Sequence, residues 1–207
     1  MMVPVVAGAG NPAPAADIQS WNELDVSTRI NPWLDMTWSS QMRFSTRQEN
    51  PATYSNGLDL NFRVGDHLIL TPSYYLIASR TAAGPWTHSR VSILAATPSY
   101  TWGRWTVSDR NRVAHVVGQG TDFWLFQNRP RLDYAIGDGR GTSIFIWDDV
   151  SYYSLFHTWS RNRLAVGTRI AGSQASVIDL YYVHQNDTRT RPHRLDGIGL
   201  TLELRFR

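Results

Sequence analysis

The stretch Trp33-Leu34-Asp35-Met36-Thr37-Trp38-Ser39-Ser40-Gln41-Met42-Arg43-Phe44 decides how the chain is read. Its even positions carry Leu34, Met36, Trp38, Met42 and Phe44, broken only by Ser40. Its odd positions after Trp33 carry Asp35, Thr37, Ser39, Gln41 and Arg43. Successive side chains of a β-strand point to opposite faces, so this period of two predicts a strand with one apolar and one polar face. Helical spacing would mix the two classes.

The same split recurs along the chain. Leu58, Leu60, Phe62 and Val64 oppose Asp59, Asn61 and Arg63. Leu164, Val166 and Ile170 oppose Arg161, Arg163 and Arg169. Ile198, Leu200, Leu202, Leu204 and Phe206 oppose Thr201, Glu203 and Arg205. Eleven such segments are expected, near 18–30, 33–45, 54–64, 67–79, 88–102, 105–116, 121–136, 142–153, 159–170, 174–186 and 194–206. Tight-turn signals at Asn31-Pro32, Gly65-Asp66, Gly103-Arg104, Gly137-Asp138-Gly139 and Gly172-Ser173 alternate with longer polar loops near 46–53, 80–87, 117–120, 154–158 and 187–193. That order describes an all-β, antiparallel up-and-down barrel of ten to twelve strands. Single-chain bacterial barrels have even strand numbers, which predicts that one of the eleven segments is not an independent wall strand. The first, fifth and seventh are the ones in question. Gly137-Asp138-Gly139-Arg140-Gly141 has no helix after it and reads as a hairpin turn, not a phosphate loop.

Composition narrows the class. The 207 residues include 20 Arg and no Lys against 17 acids, for a net charge of +3, which does not point to nucleic acid. An aromatic content of 12% with nine Trp excludes general disorder, and the lack of Cys excludes disulfides and thiolate metal sites. The six His are scattered without ligand spacing, so no metal and no cofactor are expected. Residues 1–16 are uncharged and rich in Pro, Ala and Gly, and read as a flexible tail or signal remnant ahead of a barrel domain over 17–207.

Alternation alone leaves open which face points outward. Only 18% of the residues are charged, below the roughly 25–35% usual for soluble surfaces, and Arg shares strand faces with carboxylates. Arg on a lipid-facing surface costs about 2–4 kcal/mol at the midplane, so in a membrane barrel the polar face is the lumen. Aromatics near strand ends (Trp33, Tyr54, Trp86, Tyr100, Trp102, Trp105, Trp159) match the girdles such barrels carry at both interfaces. The expected lumen network is Glu23, Asp25, Arg43, Asp59, Arg63, Arg110, Arg112, Arg129, Arg131, Asp149, Arg161, Arg163, Asp179, Glu203 and Arg205. The same phase adds Arg29, Asp35, Arg90, Asp133 and Arg169. Twelve Arg against eight acids give a formal lumen charge of +4. Asp109 and Asp148 fall on the outward phase, where bulges or rim positions would place them safely.

The series Trp21-Asn22-Glu23, Arg43-Phe44, Arg110-Asn111-Arg112, Asn128-Arg129-Pro130-Arg131, Trp147-Asp148-Asp149, Trp159-Ser160-Arg161-Asn162-Arg163 and Tyr181-Tyr182 with Gln185-Asn186 resembles the bacterial domain-of-unknown-function 2490 family. The similarity spans nearly the whole chain after residue 16, and its repeated Arg-x-Arg pairs are the most specific part. The resemblance implies an outer-membrane barrel with no established activity. Two positions depart from the pattern. Ala114 stands where the family often has an acid after its first Arg-x-Arg, and Phe206 is followed by Arg207 instead of closing the chain.

Three functions follow as expectations. A structural envelope component or a narrow, porin-like anion conduit is motivated by the luminal Arg, with a plugged lumen favoured at this strand number. A membrane-embedded lipid or lipopolysaccharide hydrolase would need a His base. His184, in His184-Gln185-Asn186-Asp187, is the best candidate but lacks a neighbouring Ser, and His115 would need Asp109 or Asp122 beside it. A soluble ligand-binding barrel would need the apolar face inward. The expected location is the bacterial outer membrane, with its lipids and the barrel assembly machinery as partners.

Overall fold

The computed structural model describes residues 17–45, 51–80, 84–118, 120–137, 141–173, 175–190 and 193–206. Residues 1–16 and the tip of the 137–141 turn lie outside the described residues.

Eleven strands form the wall: β1 (Asp17–Asn31), β2 (Leu34–Ser45), β3 (Pro51–Val64), β4 (Leu68–Ser79), β5 (Thr87–Trp102), β6 (Trp105–Gly118), β7 (Thr121–Ile136), β8 (Thr142–Tyr153), β9 (Thr158–Ser173), β10 (Ser176–Asp187) and β11 (Arg194–Phe206). Each pairs antiparallel with its sequence neighbour, and β1 closes on β11. The even-strand expectation is corrected here, because all eleven segments are wall strands. In an up-and-down order an odd count leaves the first and last strands pointing the same way. The closing pair is therefore parallel, from Asp17 opposite Leu195 to Thr28 opposite Phe206.

The connections after β1, β3, β5, β7 and β9 lie on one rim, called here the turn rim. Those after the even strands lie on the loop rim. Two of the expected loop-rim connections are shorter than the sequence suggests. Only residues 119–120 separate β6 from β7, and a 3-10 turn at Ser154–Phe156 joins β8 to β9. Gly172 and Ser173 lie inside β9, not in the turn expected there.

The apolar faces point outward. Leu58, Leu76, Leu94, Leu164, Val166, Leu180, Ile198 and Leu200 are among the exposed large hydrophobics. All seven aromatics expected in the girdles are exposed too. At the turn rim Trp33 stacks on Phe62 at 5.9 Å and Trp105 meets Tyr134 at 4.6 Å. At the loop rim Trp159 meets Tyr152 edge-on at 5.7 Å. A soluble calyx requires the opposite arrangement.

The inward face is not uniformly polar, which corrects the simple two-class reading. Ile77, Val91, Ala114, Val116, Phe123, Leu125 and Tyr153 form one buried cluster inside the barrel. Trp21, Phe145, Trp147, Ala165, Val183 and Leu195 form a second. Both draw mainly on the loop-side half of the strands. Toward the turn rim the inward residues Asp25, Thr37, Asn61, Arg63 and Thr71 are only partly buried.

Candidate functional site

The lumen has three storeys. On the loop side every strand contributes at least two buried inward residues, from Asp17 and Gln19 on β1 through Leu195 and Gly197 on β11. Among them Arg161 meets Asp187 at 2.7 Å and donates a further bond to Thr190. Arg163 donates to Gln185 at 2.6 Å.

The turn-side storey is a paired network. Arg131 and Asp133 bond twice, at 2.7 and 2.8 Å. Arg169 binds Asp179 at 2.7 Å and Glu203 at 2.7 Å, Arg205 binds Glu203 at 2.8 Å, and Arg29 and Arg63 both bind Asp35. A planar guanidinium suits this work because its fork satisfies two acceptors at once. The network surrounds a vestibule of about 740 Å³ that includes Asp25, Arg29, Asp35, Arg63, Glu203 and Arg205 in its lining.

Between these storeys lies a chamber of about 120 Å³ whose lining includes Glu23, Arg43, Arg110, Arg112, Arg129 and Arg163. Among the described residues only Arg129 of these has a carboxylate partner, Asp149 at 2.6 Å. Arg112 donates to Gln127 at 2.5 Å and Arg43 to Gln41 at 3.1 Å, both uncharged. Asp25 and Asp59, also on the inward face, make their bonds elsewhere. Asp25 accepts from Ser39 at 2.5 Å and Asp59 from Tyr75 at 2.8 Å. Aromatic faces take up part of the load: Arg43 lies 3.9 Å and Arg163 5.2 Å from the Trp21 ring, and Arg129 lies 4.4 Å from Trp147.

All fifteen residues expected in the lumen network lie on the inward face, so the strand phase places them together. Arg90 does not. It stands opposite Leu76 on the outer face, close to the loop end of β5. Its strand is apolar on both faces, with Val91 and Ile93 inward and Leu94 outward, so alternation carries no phase there. Two inward acids were missed, Asp17 and Asp187, although each shares the parity of the acids on its own strand. Removing Arg90 and adding these two changes twelve Arg and eight acids to eleven and ten, a formal +1. The wall is nearly neutral as a whole, yet its centre is strongly cationic.

Outside the barrel, Nδ1–H of His184 donates to Asp196 at 2.8 Å, and its Nε2 accepts from the Asn186 amide at 3.2 Å. Tyr182 donates to the same carboxylate at 2.5 Å. No Ser hydroxyl bonds to His184 among the described residues. His115 pairs with Asp122 at 2.7 Å and stacks on Trp124, so Asp122, not Asp109, is its partner. Asp109 and Asp148 are neither at a rim nor turned inward. Asp109 accepts from Asn128 at 2.7 Å and Asn111 at 3.0 Å, and Asp148 from Asn162 at 2.6 Å.

A closed meander with an apolar exterior, aromatic girdles and an Arg/acid interior is the architecture of an outer-membrane β-barrel. A solved structure agrees: LpxR from Salmonella typhimurium is similar in fold, with a TM-score of 0.51 and 9% identity over 83% of each chain. The chain belongs to the family described as protein of unknown function (DUF2490), whose family model matches residues 18–196. Among curated proteins none matches the sequence.

Proposed function

We propose that this protein resides in the bacterial outer membrane as a non-conducting envelope component, with a lumen open at the turn rim and filled at the loop rim. The carrying observation is the loop-side storey, where all eleven strands place buried side chains across the interior. A conduit needs a continuous aqueous path, and the apolar clusters around Phe123, Leu125 and Tyr153 and around Val183 and Leu195 oppose one. Lipid acyl chains then contact the outward Leu, Ile and Val, and the assembly machinery is the expected partner during insertion.

Planar-bilayer recording tests this reading. Wild-type protein is expected to give no single-channel steps, whereas a Phe123→Ala, Leu125→Ala, Tyr153→Ala triple variant is expected to conduct. Anion-selective steps from the wild type would overturn the proposal.

A second reading, a lipid hydrolase at the outer surface, has one observation in its favour. Asp196 holds His184 by Nδ1, the orientation in which Nε2 could act as a base. Nε2 meets Asn186 instead of a nucleophile. Fatty-acid release from lipopolysaccharide by wild type but not by His184→Ala would establish it, and equal background release would dismiss it.

A further inference from the structure

We propose that the central chamber of the lumen is a binding site for a phosphate group, entered from the turn rim. Three features carry the inference. First, the chamber gathers five guanidinium groups around one acid: Arg43, Arg110, Arg112, Arg129 and Arg163 with Glu23. Asp149, held by Arg129, lowers the local excess from +4 to +3. Second, these cations have hydrogen-bonding capacity left over. Arg43 is 3% and Arg163 is 1% exposed, yet Nη1 of the first and Nη2 of the second have no hydrogen-bond partner among the described residues. Arg110 makes no hydrogen bond and no ion pair with any described residue. Third, Asp25 and Asp59 on the same inward face accept from Ser39 and Tyr75 and bond none of these guanidinium groups, so their charge reaches the chamber only from a distance and fills none of its open donors.

Buried cations without anionic partners are unfavourable, because the solvation they lose is not replaced. The indole faces of Trp21 and Trp147 soften this cost but bring no negative charge. A bound anion would restore it. A doubly charged tetrahedral oxyanion fits best, because several oxygens can each accept from a different guanidinium. A chamber of about 120 Å³ has room for one such group and not for a large ligand. The loop side is filled, so the approach is through the vestibule, which Asp25 continues from Glu23 along the same face of β1. Its volume of about 740 Å³ would hold the organic remainder of a phosphomonoester. Phosphate chemistry is common to the free ion and to such an ester.

Binding does not require conduction, so the site stands or falls separately from the non-conducting reading. The test is isothermal calorimetry and thermal unfolding of the full chain folded in detergent, in low-salt chloride buffer. Inorganic phosphate and glycerol phosphate are the two probes. One-to-one binding of phosphate is expected, and tighter binding of glycerol phosphate would identify an ester as the better ligand. Arg110→Ala should weaken binding by at least about tenfold, the effect of losing one charged hydrogen bond. Because Arg110 supports no contact, the variant should fold, and without phosphate it should melt no lower than the wild type. Arg90→Ala, on the outer face and away from both cavities, should bind as the wild type does. Absence of binding by both probes, or binding unchanged in Arg110→Ala, would overturn the proposal.

Discussion

Arg161 and Asp187 are direct cross-strand partners on β9 and β10, and their side chains meet at 2.7 Å with almost no exposure to solvent. Asp187 also accepts the backbone N–H groups of Arg189 and Thr190 at 2.9 and 2.8 Å, so one carboxylate ties the β10 end and its following loop to the barrel interior.

Removing one member of such a pair leaves a buried charge without compensation. Asp187→Ala is expected to lower the stability of the folded barrel by about 3–5 kcal/mol. Arg205→Ala also breaks an ion pair, with Glu203, but that guanidinium is half exposed and the loss should stay under about 1 kcal/mol. Urea unfolding in detergent micelles compares the two. Equal losses would mean that the loop-side storey is hydrated.

Gly199 lies directly opposite Tyr181, whose ring folds over it. A Cβ built at position 199 would stand 2.0 Å from Cζ of the ring. Gly199→Ala must therefore push the ring into the central chamber that Tyr181 helps to line, at about 1–3 kcal/mol for overpacking. In a Tyr181→Ala background the same change should cost almost nothing. Additive losses in the double variant would show that the ring is not what occupies the space.

The outward Leu, Ile, Val and Trp predict behaviour during purification. The protein should extract only with detergent and should aggregate when the detergent is removed, because the exposed apolar belt far exceeds the few hundred Å² that soluble monomers tolerate. Size-exclusion chromatography in plain buffer decides the point. A monodisperse peak there would contradict the assignment of the apolar face to lipid.

The strand segments, their order and most of the lumen set were legible because period-two alternation is strong wherever one face is apolar and the other polar, as in β2, β3 and β11. It failed where both faces are apolar. On β5, Val91 and Ile93 pack inside while Leu94 faces out, and Arg90 was assigned to the wrong side. The filled loop side was invisible for the same reason: Ile77, Val116, Leu125 and Val183 look like any other strand residues until the barrel closes and brings them together. The parity rule misled because it describes closure by an antiparallel pair, and β1 meets β11 in parallel. The chamber's charge imbalance depends on which acids turn to Ser39 and Tyr75, a choice of side-chain partners that no linear pattern encodes.

Asp148 and Asn162 offer the most direct measure of what surrounds the outer face. They sit on β8 and β9 with Leu164, Val166 and Ile146 around them, and the carboxylate accepts the amide at 2.6 Å. In hydrocarbon, a polar group that loses its partner finds no water to replace it, so each single change should be costly. Asn162→Leu or Asp148→Leu should each destabilise by about 1–3 kcal/mol. Replacing both leaves no polar group unsatisfied and adds apolar surface, so the double Leu variant should be as stable as the wild type or more so. Urea titration of the barrel folded into lipid vesicles supplies all four corners of the cycle. A coupling well above 1 kcal/mol places the pair in lipid. A coupling below about 0.5 kcal/mol, the range of solvated surface pairs, would place that face of β8 and β9 in contact with water.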